Sequence, residues 1–178
     1  MSESKIIGFA FSSVGTTEIL DIADIKEHLY IDSANTSFDT RLTSLNTEVR
    51  QYIEEITGKS LIDKTVEVLI RYCGPFGIPF GPVVTFDTAY IKTGINEFTT
   101  QVGNDEYEIQ YNKFESYVGG DVWKLIYEVG YTEDTLPSGL RLGWLNEIAK
   151  RFEHRGDEVQ VLDTNDLILP YKDLEWTV

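Results

Sequence analysis

Phe38, Leu42, Leu45, Val49, Tyr52, Ile53 and Ile56 recur at steps of three and four, which commits residues 36–58 to a long helix with a single apolar face. Its borders agree. Thr36 with Asp39 has the spacing of a capping box, and Gly58 after Thr57 supplies the left-handed residue that ends a helix without a Cβ clash. Arg41, Asn46, Arg50, Gln51 and Glu54 fall on the opposite side, predicting a face turned to water or to another subunit. Leu45 then belongs in a core.

A shorter helix precedes it. Asp21 is placed to cap it, Ile22, Ile25 and Leu29 share a face, and Asp24 puts a negative charge in the first turn, where the helix dipole favours one. That helix should end near Ile31, with 32–35 as a polar turn. A last helix is predicted over 137–156, opened by Pro137, burying Leu140, Trp144, Leu145, Ile148 and Phe152, and stopped at Gly156. Lys150, Arg151 and Arg155 suit its C-terminal end.

Between these helices the apolar period drops to two. Val66, Val68, Ile70 and Tyr72 alternate with Thr65, Glu67, Leu69 and Arg71, as in a half-buried strand that Gly74, Pro75, Gly77 and Pro79 then end. Further strands are predicted at 83–91, 107–111 and 122–131, separated by Gly94, Gly103-Asn104 and Gly119-Gly120. Gly119-Gly120 is read as hairpin geometry rather than a phosphate loop.

Composition narrows the function. With 178 residues the chain can bury one real core without disulfides, and Cys73, its only cysteine, can form none within the chain; a reducing cytoplasm fits. No apolar stretch approaches the roughly 20 residues that span a bilayer, so no membrane partner is expected. The run Ile6-Ile7-Gly8-Phe9-Ala10-Phe11 is too short and too weakly flanked by Lys5 for a secretory signal. The formal charge of −15 disfavours phosphate binding and favours solubility; it is also compatible with a channel wall along which DNA slides without sticking.

No catalytic constellation emerges. His28 and His154 are the only histidines, too few for a His-rich metal site or a Cys73 triad. No dinucleotide fingerprint or phosphate-binding loop occurs. The acidic stretch 104–115 has Ile109 where a calcium loop needs glycine, and alternation of Tyr107, Ile109 and Tyr111 favours a strand. The chain reads as a non-enzyme with no catalytic, cofactor or metal residues. Trp123 and Tyr127 could build a sugar-binding platform, although period-two aromatics more often pack across strands. A small β-rich binding module for carbohydrate is therefore the alternative reading.

The C-terminal stretch is unusually apolar for an acidic tail. Val161, Leu162, Leu167, Ile168, Leu169, Tyr171, Leu174 and Trp176 form the candidate assembly interface, an extended strap docking on a neighbouring copy or another protein. Pro170 and the nearby acids argue against one continuous helix there. The competing reading folds the strap back onto its own domain.

Four phrases occur in order. Leu20-Asp21-Ile22-Ala23-Asp24-Ile25-Lys26-Glu27-His28-Leu29 and Tyr52-Ile53-Glu54-Glu55-Ile56-Thr57-Gly58-Lys59-Ser60-Leu61 are followed by Tyr127-Glu128-Val129-Gly130-Tyr131 with Leu136-Pro137 and Leu140-Arg141, then by Phe152-Glu153-His154-Arg155. With these the chain resembles the head-tail connector, or adaptor, proteins of tailed bacteriophages, over roughly 19–73 and 122–157. It departs from them in its N-terminal stretch, its β insertion and its apolar tail. The resemblance implies an α+β fold: a helical core of short, long and C-terminal helices, a small inserted antiparallel β region and an extended C-terminal arm. The corresponding division is 1–18 as an N-terminal extension, 19–157 as the connector-like domain with β insertion at about 64–131, and 158–178 as the arm. It further implies a structural virion protein at the head-tail interface, made in the host bacterial cytoplasm. The expected partners are itself in a dodecameric ring, the portal, and tail or stopper proteins, with DNA crossing the ring without sequence-specific binding and no cofactor. Cyclic closure needs heterologous contacts between unlike faces of adjacent copies.

Overall fold

The computed structural model describes residues 4–94, 97–110, 112–153 and 166–172. The chain divides into a β unit, Met1–Thr16 with Ile62–Gly130, and a helical unit, Thr17–Leu61 with Tyr131–Val178.

In the β unit, β1 (Lys5–Val14), β2 (Lys64–Arg71), β8 (Val122–Val129), β4 (Val83–Ile91) and β5 (Thr100–Gln101) form one antiparallel sheet, ordered β1-β2-β8-β4-β5. The period-two pattern decides its buried face. Val66, Val68 and Ile70 stand opposite Tyr127, Leu125 and Trp123, and all six are buried. A second antiparallel sheet, ordered β3-β7-β6 from β3 (Phe76–Gly77), β7 (Lys113–Ser116) and β6 (Tyr107–Gln110), brings Phe114 onto the first. The Phe114 ring lies 5.4 Å from that of Trp123 and 5.7 Å from that of Tyr72, in edge-to-face contacts that add to the burial of three large side chains.

The helical unit contains α1 (Ile22–His28), α2 (Asp39–Thr57) and α3 (Ser138–Glu153), followed by a single 3-10 turn, Leu169–Tyr171. Asp21 caps α1 by accepting from the Asp24 amide at 2.8 Å. Gly58 ends α2 with φ 73, the left-handed conformation expected of it. Leu42, Leu45, Val49 and Ile53 of α2 form a core with Leu140, Trp144 and Ile148 of α3. At the other end of α2 the capping box does not form. Phe38 occupies the cap position without a side-chain bond, and the Asp39 carboxylate instead meets the Lys26 ammonium at 2.6 Å. His154, Arg155 and Gly156, the expected end of α3, lie outside the described residues, as does Tyr111 at the end of the strand expected over 107–111.

The expected fold class is corrected. The protein is mostly β, two antiparallel sheets of eight strands with three helices among the described residues, rather than a helical core with a small β insertion. The physical reason lies in the strands that local pattern conceals. β1 is irregular against β2 at Ile7 and Ser12, and such bulges break strict alternation along the strand. β3 and β5 are two residues each, too short to show any period. Gly119-Gly120 is also not a hairpin: β7 and β8, which flank it, belong to different sheets.

A second correction concerns the polar side of α2. Asn46 and Arg50 are buried, not solvated. The Asn46 amide donates to the Leu20 carbonyl at 2.9 Å, and the Arg50 guanidinium bridges Glu18 and Glu54 at 2.9 Å each. Those carboxylates are used twice, Glu18 accepting from the Thr47 hydroxyl at 2.9 Å and Glu54 from the Leu61 amide at 2.8 Å. A buried arginine is tolerated because its donors are met by charge.

Candidate assembly surface

Of the predicted interface residues, the structure describes four. Ile168 is fully buried in the helical core, where the Cβ-free backbone of Gly143 on α3 admits its side chain. Leu167 and Tyr171 are half-buried, and Leu169 is exposed. Tyr171 rests against Gly139, one helical turn before Gly143, so a pair of glycines on α3 makes the shallow seat for this turn. This part of the strap packs on its own unit. Val161, Leu162, Leu174 and Trp176 lie outside the described residues.

The surface that sequence reasoning missed is on β1. Phe9 stands opposite Val68 and Phe11 opposite Val66, so both extend rows that begin in the buried face at Leu125 and Tyr127. Yet Phe9 is 56% exposed, Phe11 39% and Ile7 48%. The sheet order explains this, because β1 is the edge strand and no described strand lies beyond it. Phe80 joins the cluster, its ring centre 5.0 Å from Phe9 and 5.3 Å from Phe11. It does so from φ 62, a left-handed conformation that costs an L residue about 1–2 kcal/mol. The Tyr127 hydroxyl, donating to the Pro79 carbonyl at 3.2 Å, holds the same loop. Lys64 covers one side, its ammonium 5.3 Å from the centre of the Phe11 ring. The signal for this patch was the run 6–11, visible as apolar but carrying no indication of its partner strand.

Charge lies on both faces of the edge, Lys64 on the phenylalanine side and Glu67, in register with Ala10, on the other. Lys5 pairs in register with Arg71 on the side opposite the phenylalanines, and neither has an ion-pair partner among the described residues. Elsewhere in the β unit, the carboxylates of 104–115 serve a hairpin. Glu106 accepts from the Gly103 amide at 2.9 Å and Glu108 from the Tyr117 hydroxyl at 2.6 Å, which pushes that phenol's pKa up. Trp123 and Tyr127 are fully buried, so they offer no platform to a sugar. Burial pushes the Tyr127 phenol well above its usual range. Among the described residues no three His, Cys, Asp or Glu side chains converge as metal ligands, and no helix is long and apolar enough to cross a membrane. In the helical unit, Tyr30 is 98% exposed at φ 55, a further aromatic held in water.

No family model matches the chain, and no curated protein matches it. Solved structures do. A chain from the neck of an empty gene transfer agent (GTA) particle computed with C6 symmetry superposes with a TM-score of 0.74 at 16% identity, over 96% of this chain and 98% of that one. A chain from the virion of a native GTA particle gives 0.72 at 17%, covering 95% and 97%. One from the neck of a native GTA particle computed with C12 symmetry gives 0.66 at 18%, covering 94% and 97%. At such identities the likeness is one of fold, and the protein therefore has the fold of chains that occur in gene transfer agent necks and virions.

Proposed function

We propose that this protein is a structural component of the neck of a phage-like particle, a connector subunit that forms a ring between portal and tail. One observation supports the reading: the likeness in fold to neck chains runs over nearly the whole of both molecules. The C6 and C12 symmetries of those necks support a cyclic assembly, for which a dodecamer is the proposed copy number. The work is architectural: the ring leaves a passage for DNA, binds portal above and tail or stopper proteins below, and turns over no substrate. The protein is made in the host bacterial cytoplasm and ends in the virion.

Negative-stain imaging of the purified chain, alone and with the portal protein of the same particle, tests this. Closed rings, on their own or on the portal, are the expected result. A chain that stays monomeric and fails to bind the portal would overturn the proposal.

A further inference from the structure

The geometry points to one antiparallel sheet shared between copies, the outer edge of β1 in one pairing with the outer edge of β4 in the next. This rests on the proposed multi-copy assembly and names the contact that would join its subunits. The five-stranded sheet is open on both sides. No described strand lies beyond β1, and β5 covers β4 only at Tyr90 and Ile91, which leaves 84–88 with no strand on its outer side. Residues 6–14 contain neither charge nor proline, the devices that ordinarily keep edge strands apart, and they hold Ile7, Phe9 and Phe11 in water. On the other edge Val84 is likewise exposed.

Strand direction agrees. Every neighbour in the order β1-β2-β8-β4 is antiparallel, so a second β1 laid beside β4 continues the alternation. The two faces then set the register. On β4, Phe86 shares the buried face with Tyr127, while Thr85 and Thr88 lie on the other with Glu128 and Ile126. On β1, Ile6 and Phe9 continue the buried rows of Ile70 and Val68, while Lys5 and Gly8 continue those of Arg71 and Leu69. Faces match when Lys5 stands opposite Thr88, Ile6 opposite Phe86, Gly8 opposite Thr85 and Phe9 at Val83. The Val83 amide is already held by the Asn112 side chain at 3.3 Å, so the ladder ends there. Within one copy Val14 is level with Val83 through Lys64 and Val129, so this register slides adjacent copies by five residues. Without the slide Ile6 would be level with Ile91, where β5 already pairs. Such a stagger is what tilts the strands of a closed sheet, and the bulges at Ile7, Ser12, Val84 and Asp87 add the bend that closure needs.

Charge supports the same register. Lys5 and Arg71 at one edge, and Asp87 and Glu128 at the other, have no ion-pair partner among the described residues. Glu67 is engaged by Lys124, Lys64 lies over Phe11, and Lys92 falls past the open stretch. Lys5 therefore arrives beside Asp87 with both charges available. Main-chain bonds give such strand additions their affinity, and the side chains fix partner and register. Because β1 and β4 are unlike edges, the contact is head-to-tail and can propagate around a ring. Four strand spacings of about 4.8 Å per copy give twelve copies a sheet of radius about 37 Å before tilt widens it, room enough for a duplex to pass.

The test uses the full chain, in solution and on the portal. An isotopically light copy carrying the photo-reactive substitution Val84→benzoylphenylalanine is assembled with a heavy wild-type copy, irradiated and digested with trypsin. Hybrid light-heavy products joining position 84 to the β1 peptide 6–26 are expected. Products confined to one chain, or attached elsewhere, overturn the proposal. In parallel, Lys5→Glu and Asp87→Lys should each weaken self-association at least about threefold, and the double variant should recover it. Both residues are exposed, so all three variants should melt with the parent. Single variants that associate like the parent, or a double variant that adds their losses, count against the pairing. Rings that form without hybrid products at position 84 would sink the shared sheet and leave the neck reading standing. Hybrid products in open filaments that never close would do the reverse.

Discussion

Leu45 has its side chain almost wholly out of water, surrounded by the apolar residues of α2 and α3. Leu45→Ala should cost about 2–5 kcal/mol, the transfer of the lost methyls plus the cavity left behind, read as a shift in denaturant midpoint. An unchanged midpoint would remove Leu45 from the core. Tyr127 makes a different prediction. Its phenol stays protonated in the fold, whereas in the unfolded chain it ionises near the ordinary value of 10.0. The unfolded state therefore binds fewer protons above that pH, and stability, whole below it, falls as pH rises further, by up to about 1.4 kcal/mol per pH unit for one group. Tyr127→Phe loses the bond to the Pro79 carbonyl but also loses this slope. Urea midpoints of parent and variant should thus converge above about pH 10, and parallel curves would contradict the buried phenol. Arg50 shows the limit of residue-level reading. Its side was correctly seen as polar, but only the segment at Glu18 and Leu20, more than 25 positions away, turns that side into an interior network.

At the scale of elements, β1 is the decisive case. Without it β2 becomes the edge, and Val66, Val68 and Ile70 lose their neighbours on one side. Deleting residues 1–14 should lower the melting temperature of the β unit by roughly 10 °C, equivalent to about 2 kcal/mol in a domain of this size. Thermal melts followed by near-UV circular dichroism, which reports the Trp123 environment, would check it. A truncated chain that melts with the parent would make the strand an ornament. Helix ends follow simpler rules. Asp21 and Gly58 were legible as caps because each acts on amides or carbonyls within a few residues, while Thr36 failed because Lys26 draws Asp39 into an ion pair across the turn.

For the whole molecule the formal charge of −15 sets the relation to nucleic acid. At about 0.15 M salt the purified chain should show no retention of duplex DNA, even at protein concentrations near 100 μM, where ordinary non-specific binders are saturated. A measurable mobility shift at micromolar protein would contradict a passage through which DNA slides freely.

The amino-acid order alone determined α2, α3, β2, β4 and β8, the N-cap of α1 and the C-cap of α2, because helical period, strand alternation and capping depend on residues a few positions apart. Tertiary structure decided the rest. Whether the run at 6–11 was leader, extension or strand depended on β2, some 60 residues later, and whether Ile168 was interface or core depended on the glycine seat of α3. Strand partners and docking seats are chosen by long-range burial, and a side chain's own neighbours in sequence carry no record of which distant surface will cover it.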